Sequence, residues 1–367
     1  MGKGSQLAAL RREVREFLRV TPFESRCDSW MRGFDLEFSR AVAERGWIGM
    51  AWPKSHGGGD RSYLERLVVS EELLRAGAPV TAHWTADRQI GPSIIRLGTE
   101  ELQRELLPVI RRAEAVFCVG LSESDAGSDL AALRTRAERV PGGWELSGSK
   151  LWTTSAHVAT HAYVLARTSK SENKHDGLSE FVVDMDSDGV AVRPIRDLAG
   201  EHHFNEVFFD SVFVPEGRLL GTEGQGWRQA TQHLAFERGG CERYLSTYLL
   251  FSRLVEIGRT ACDRSLNEAL GRLTAQLTAL RRLSWDLAIA LDAGHAPVRQ
   301  AAGLKLMGTL FEAEVVDIAR YAFSACHVTR EDLALLRQAQ AVVPATSIRG
   351  GASDVMRAVI AKAECVG

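Results

Sequence analysis

The sequence predicts an α+β multidomain protein in which a helical N-terminal domain precedes a small antiparallel β-barrel or sandwich and a C-terminal helical bundle. Apolar residues recur at helical spacing in the first and last thirds of the 367-residue chain. In the middle third they alternate with polar residues, and Gly, Asp and Pro recur every few residues. No βαβ order occurs, which argues against a Rossmann domain. The expected domains are residues 1–115, 116–225 and 226–367.

The N-terminal domain is predicted from four segments with apolar residues at helical spacing. They are Leu7–Val20, Leu36–Arg45, Tyr63–Arg75 and Glu100–Arg112. The run Gly57–Asp60 breaks this pattern. Thr99, followed by two glutamates, is a typical start for the last of these helices, because acidic residues in the first turn favour the positive end of the helix dipole.

The middle domain is predicted from short segments rich in Val, Phe, Tyr and Trp. The expected strands are Trp144–Ser147, Tyr163–Arg167, Glu180–Asp184, Val190–Pro194 and Val207–Phe209. After Trp227 the helical period returns. Two long segments, Leu270–Ala293 and Gln300–Phe323, are joined by the short turn Asp292–Pro297, which indicates antiparallel neighbours in a bundle.

Composition excludes several classes of protein. The net charge of -2 and the isoelectric point near 6.6 predict no nucleic-acid partner. No apolar run is long enough for a membrane span. The six cysteines form no CxxC pair, so we expect free thiols and a cytoplasmic location. The phosphate-binding motifs GxGxxG and GxxxxGK[ST] do not occur.

Five segments, in order along the chain, carry a resemblance to the acyl-CoA dehydrogenase family. The first two, CVGLSESDAGSD and GSKLWTTS, resemble its two flavin signatures. The other three resemble later landmarks of the family. The segments are Cys118–Asp129, Gly148–Ser155, Gly200–Pro215, Gly221–Trp227 and Ile348–Arg357. The resemblance implies a four-helix C-terminal bundle and FAD bound between this bundle and the β-domain.

The resemblance also implies which residues contact the cofactor and the acyl thioester. Leu121 and Ser122 would meet the pyrimidine edge of the flavin, Thr154 its N5 atom and Trp152 its ring. Gly127 would allow close backbone approach, and Ser128 would bond a phosphate or thioester oxygen. Trp84 and Arg88 lie in a segment that would border the acyl pocket, although a core Trp and a surface Arg are the more ordinary interpretation.

The catalytic base is expected at Glu237. Many family members place a glutamate at the position occupied here by Gly350, whereas others use one in a Leu-x-x-Glu-Arg context, which Leu234–Arg238 matches. A carboxylate is needed to remove the α-proton. Gly350 would still offer its backbone N–H to the thioester oxygen. The segments that usually hold the adenylate half of FAD are not matched, and Arg259 and Arg264 remain alternatives there.

Three functions remain open. The first is FAD-dependent α,β-dehydrogenation of an acyl-CoA thioester, with electrons passed to an electron-transfer flavoprotein. The second is a flavin-dependent oxygenase or oxidase on the same fold. The third is a non-catalytic or half-site subunit. The chain resembles actinobacterial steroid side-chain dehydrogenases, so we expect a homo-oligomer or a heterotetramer with a related subunit.

Overall fold

The chain folds into two compact units. The computed structural model describes residues 2–237, 239–261 and 263–364, apart from the side chains of Lys3, residues 232–237 and residues 363–364. The helical unit comprises residues 1–38, 61–81 and 235–367, and the sheet unit comprises residues 39–60 and 82–234. The predicted limits of the three domains stay a prediction.

The predicted helices are present, with ends that differ by a few residues. In the described part of the chain, α1–α14 are Lys3–Val20, Ser29–Arg32, Leu36–Glu44, Tyr63–Arg75, Thr81–Thr85, Gly91–Leu97, Glu100–Arg111, Gly226–Glu237, Glu242–Leu245, Tyr248–Thr260, Arg264–Asp292, Val298–Ala325, Arg330–Thr346 and Ser353–Glu364. The hydroxyl of Thr99 accepts a hydrogen bond from the Leu102 N–H (3.2 Å), so α7 begins where the sequence predicts. A π-helical turn, Ala86–Ile90, connects α5 to α6.

The strands β1–β8 form one sheet in the order β6-β7-β3-β2-β4-β5-β8, with β1 beside β4. They are Phe117–Gly120, Arg136–Val140, Gly143–Thr154, His161–Arg167, Leu178–Asp184, Val190–Arg196, His202–Pro215 and Leu219–Leu220. The β1–β4 and β2–β4 pairs are parallel, so the sheet is mixed where the sequence predicted antiparallel pairing alone. The five predicted strands all lie in it, whereas β1, β2 and β8 are too short to show a clear alternation.

The core of the sheet unit comes from the alternating apolar residues of these strands. Trp144 and Leu146 of β3 pack with Phe181 of β5 and with Val207 and Phe209 of β7, and all five are buried. Burial of each such side chain stabilises the fold by about 1.5–3 kcal/mol. The sheet therefore supplies a rigid support for the loops at its edge.

The helical unit is built around the long antiparallel helices α11 and α12, which pack with α4, α9, α13 and α14. Glu71 of α4 is buried and forms ion pairs with Arg11 of α1 (2.9 Å) and with Arg281 of α11. Burial pushes the pKa of Glu71 up, but these two guanidiniums outweigh it and hold that pKa below its ordinary value. Glu71 thus joins three helices through one charged group.

The described cysteines are free thiols, as composition predicts. Cys27, Cys118, Cys241 and Cys326 are free thiols, and the first three are buried, while Cys262 and Cys365 lie outside the described residues. Burial raises the pKa of Cys27 and of Cys118 to about 12, so these two are unreactive. Among the described helices, none combines the length and the apolar character that crossing a membrane requires.

Candidate active site

The two signature segments lie side by side in the sheet unit. The backbone N–H of Leu151 in β3 donates to the carbonyl of Ser122 (2.8 Å). The ammonium group of Lys150 donates to the carbonyl of Leu121 (3.1 Å). Leu121 and Ser122 are both half-buried. The structure thus brings the first pair of predicted flavin residues next to the strand that carries the second pair.

A buried ion pair holds the first signature loop in place. Lys150 is fully buried, and its Nζ atom lies 2.7 Å from Glu123 Oε1. The carboxylate of Glu123 also accepts hydrogen bonds from the backbone N–H groups of Arg134 (2.7 Å) and Thr135 (2.9 Å). Glu123 and Ala126 exchange backbone hydrogen bonds that close a tight turn. Lys150 therefore ties the loop from Leu121 to Ala126 to the sheet.

The charge of each member of this pair shifts the pKa of the other towards the ionised form. Burial lowers the pKa of Lys150 to about 8, and Glu123 offsets only part of that fall. Burial alone would raise the pKa of Glu123, but the charge and hydrogen bond of Lys150 and the bonds at Thr135 and Arg134 hold it below its ordinary value. Both groups are therefore ionised near pH 7, and the charge of each favours the ionised form of the other.

A β-bulge in β3 presents Trp152. The register of β3 against β7 slips between Lys150 and Thr153. Trp152 has φ +60°, a left-handed conformation that is rare for a bulky residue and costs free energy. Its side chain is 54% exposed and contacts Phe204 edge-on at 5.6 Å. Bulges are common next to active sites, where they change the direction of a side chain.

Asn205 of β7 supports this bulge from within the sheet. It is fully buried, and its Nδ2 atom donates to the carbonyl of Thr153 (3.1 Å). Its Oδ1 atom accepts from Nε2 of His202 (2.8 Å), and the Ser155 N–H donates to the carbonyl of His203 (2.8 Å). Asn205 and Lys150 were not among the site residues predicted from the sequence. The available signal was a polar residue at an inward position of a strand whose neighbours are apolar.

The remaining predicted residues of the sheet unit lie in different surroundings. Thr154 is half-buried, and Gly127 and Ser128 are exposed. A Cβ atom at Gly127 would meet no atom of the described residues within 4 Å, so the described part of the chain gives no steric reason for a glycine there. Trp84 is buried, and the guanidinium of Arg88 lies 4.3 Å above its ring. Trp84 is therefore a core residue, and a contact of Trp84 or Arg88 with substrate stays a prediction.

Glu237 and Gly350 belong to the helical unit. Glu237 is the last residue of α8, and its side chain lies outside the described part of the chain, so its role as base stays a prediction. Gly350 lies between α13 and α14 with φ +65°. No carboxylate can come from this position, as the sequence already indicated.

A separate cleft of about 710 Å³ opens on the sheet unit next to Asn205. Its walls include His157, His161 and His202, together with Asp184 and Arg218. None of the predicted site residues in the described part of the chain lines this cleft. We therefore do not assign the cofactor or the acyl thioester to it.

Along the chain, helices are followed by a mixed sheet, which joins the two signature segments, and then by a bundle with two long helices. The chain belongs to the acyl-CoA dehydrogenase family. Models of the N-terminal, middle and C-terminal domains of acyl-CoA dehydrogenases match residues 5–114, 118–212 and 224–364. The three-part fold predicted from the sequence is thereby confirmed.

Several members of the family are similar to this chain. Acyl-CoA dehydrogenase IpdE1 of Mycobacterium tuberculosis is 38% identical over 66% of this chain and 65% of its own length. FadE29 of the same organism is 33% identical, over 74% of this chain and 71% of its own. FadE34 is 36% identical, but this chain spans only 38% of it.

Two solved structures have the same fold. The Tcur3481-Tcur3483 steroid ACAD superimposes with a TM-score of 0.87 at 27% identity, over 99% of this chain and 98% of that one. The ChsE4-ChsE5 complex from Mycobacterium tuberculosis superimposes with a TM-score of 0.84 at 25% identity, over 99% of this chain and 97% of that one.

Proposed function

We propose that this protein catalyses FAD-dependent α,β-dehydrogenation of an acyl-CoA thioester. When bound, FAD would supply the hydride acceptor at its N5 atom. Glu237 would remove the α-proton, and the Gly350 N–H would donate to the thioester oxygen as negative charge develops there. Electrons would then pass to an electron-transfer flavoprotein.

The observation that carries this proposal is the junction of the two signature segments around Lys150. This junction sets half-buried Ser122 beside the strand that ends in Trp152 and Thr154. The donors and the exposed ring suit a flavin, which needs hydrogen bonds along its pyrimidine edge and apolar cover on its face. Leu121 and Ser122 would hold that edge, Thr154 would donate to N5 and Trp152 would cover the ring. Gly127 and Ser128 would face a phosphate or the thioester.

The substrate and the assembly are also proposals. One solved relative is described as a steroid ACAD and another as a complex of two named chains. We propose that this chain takes a bulky acyl group and assembles as a homo-oligomer or with a related subunit. Trp84 and Arg88 would border the acyl pocket. The free thiols suit the reducing cytoplasm.

The proposal is tested by the absorption spectrum of the purified protein, alone or with its partner subunit. We expect a flavin band near ~450 nm that an added CoA thioester bleaches under anaerobic conditions. Rapid consumption of oxygen driven by NAD(P)H would instead favour an oxygenase. A chain that binds FAD with its partner but is not reduced by any thioester in a panel would indicate a non-catalytic subunit.

Thr154→Val is expected to weaken FAD binding or slow flavin reduction by roughly 3- to 10-fold, because one hydrogen bond is worth about 0.5–1.5 kcal/mol. Flavin content and the rate of reduction by thioester are the measurements. Thr153→Val is the matched control: among the described residues the buried hydroxyl of Thr153 has no hydrogen-bond partner, so its loss should change neither. Equal behaviour of the two variants would remove Thr154 from the flavin site.

A further inference from the structure

The segment that contains Gly350, residues 347–352, is held at several points within the helical unit. Directly before it, the carbonyl of Thr346 accepts hydrogen bonds from Lys305 Nζ (2.9 Å) and Thr309 Oγ1 (3.1 Å). Within it, Arg349 bonds Asp28 Oδ2 (2.6 Å) and Ser246 Oγ (2.9 Å). We call residues 347–352 the closing segment.

The guanidinium of Arg243 lies beside the closing segment. Arg243 is on the short helix α9, and its side chain is only 3% exposed. Its guanidinium carbon lies 5.2 Å from the centre of the Trp30 ring, which Arg349 also contacts at 4.7 Å. Its Nε atom is 3.7 Å from a carboxylate oxygen of Glu242. Cation–π and ionic contacts therefore hold this head group in one place.

The close approach of two helices places Arg243 there. A Cβ atom at Gly308 of α12 would lie 2.3 Å from the carbonyl oxygen of Arg243, so only glycine lets α12 pass this near to α9. The side chain of Arg243 then extends to the closing segment. A Cβ atom at Gly350 would lie 2.5 Å from Nη1 of Arg243, 2.9 Å from Cζ and 3.0 Å from Nη2.

We propose that Arg243 is a positioning residue that occupies the side-chain space of residue 350 and thereby fixes the backbone of Gly350. An arginine head group at the surface would swing away from a new side chain. This one is buried against Trp30 and Glu242, so displacing it means moving a charge through the interior. The functional part of the inference rests on the proposed role of the Gly350 N–H at the thioester oxygen.

With Arg243 in this place, a glutamate introduced at position 350 would be a poor base. A glutamate at this position would meet a guanidinium at contact distance. The resulting ion pair would favour the ionised carboxylate and make it a weaker proton acceptor. A base could function there only if Arg243 were also removed. A cation, not a carboxylate, is therefore the group that this chain sets beside Gly350.

A double-mutant cycle tests the packing without reference to activity. Gly294 also has positive φ, +77°, but a Cβ atom there meets no described atom within 4 Å. Gly294→Ala should lower Tm by about 2–4 °C from backbone strain alone, and Gly350→Ala by about twice that or more. In an Arg243→Ala background the two glycine changes should cost the same. An undiminished cost of Gly350→Ala in that background would overturn the proposal.

If Arg243→Ala yields no folded protein, Arg243→Lys replaces it in the cycle, because lysine keeps the charge and lacks the forked nitrogens that lie against Gly350. The same reduction of the Gly350→Ala cost is then expected, and its absence again overturns the proposal.

Kinetics of the FAD-loaded protein separate positioning from mere stability. At a temperature below Tm, Arg243→Met should slow flavin reduction at saturating thioester by roughly 10-fold or more, with a smaller change in KM. The reason is that the proposed hydrogen bond from the Gly350 N–H to the thioester oxygen strengthens mainly in the transition state. Arg243→Lys should slow flavin reduction as well, because lysine also lacks the forked nitrogens that lie against Gly350. A KM-only effect would overturn the positioning role. A parent protein that no thioester reduces would contradict the proposed function, while the double-mutant cycle would still decide the packing.

Discussion

Glu237→Gln is expected to slow flavin reduction by an acyl-CoA thioester by about 10²–10⁴-fold, the contribution of a positioned general base. Gln keeps the volume and removes only the charge and the proton acceptor, so FAD should stay bound. Stopped-flow absorbance of the anaerobic reductive half-reaction measures the rate. The limb of the pH–rate profile that reports the base should also disappear in the variant.

The control for this experiment is Glu268→Gln. Glu268 is an exposed glutamate of α11 that pairs with Arg264 (2.8 Å), and its variant should react like the parent. Asp354, the nearest acid after Gly350 in sequence, is a poor alternative base, because its side chain is 91% exposed and bonds Arg357 (2.6 Å). A Glu237→Gln variant as fast as the parent would place the base on a partner chain and favour the half-site function.

Lys150→Met is expected to destabilise the protein by about 3–5 kcal/mol at pH 7, because it leaves the carboxylate of Glu123 buried without its cation. Flavin should be lost in parallel, since Lys150 also holds the carbonyl of Leu121. Chemical denaturation with a fluorescence readout measures the free energy of unfolding. Adding Glu123→Gln to Lys150→Met should recover part of the loss, because the unpaired charge is then gone.

The pH dependence of this difference follows from the two pKa shifts. In the folded parent the pKa of Glu123 is lower than in the unfolded chain. Glu123 therefore stabilises the fold at pH values above its unfolded-state pKa, and this stabilisation is lost as the pH falls through its folded-state pKa. Without Lys150 the burial of Glu123 is uncompensated, so the variant protonates this group at a higher pH and the difference shrinks in acid. Above about pH 8 the difference widens, because the lowered pKa of Lys150 makes the folded parent release this proton before the unfolded chain does, so the stability of the parent rises there with pH.

Lys174→Met is the matched control for Lys150→Met. Lys174 pairs with Asp129 at 2.8 Å, a distance similar to that of the buried pair, but both side chains are more than half exposed. Solvent screening makes such pairs weak, so the variant should unfold like the parent at every pH. If Lys150→Met and Lys174→Met had equal small effects, the loop from Leu121 to Ala126 would not depend on the buried pair.

The sequence alone was sufficient to predict the long helices and five of the strands, because their signals are local. Helical spacing of apolar residues placed Tyr63–Arg75 at its observed ends, and alternation placed the middle strands. The two flavin signature segments were recognisable for the same reason, since each is a short continuous run. The short strands β1 and β2 were not predicted, because their pairing with β4 supplies what their own pattern lacks.

Tertiary structure decided which side chains support the site. Lys150 and Asn205 are ordinary polar residues in sequence, and their roles arise only because a strand pairing buries them against Glu123 and Thr153. The absence of a carboxylate at position 350 could be read from the sequence, whereas the cation beside it could not. Arg243 reaches Gly350 only because α9 and α12 pack closely at Gly308, and such long-range packing leaves no periodic trace in the chain.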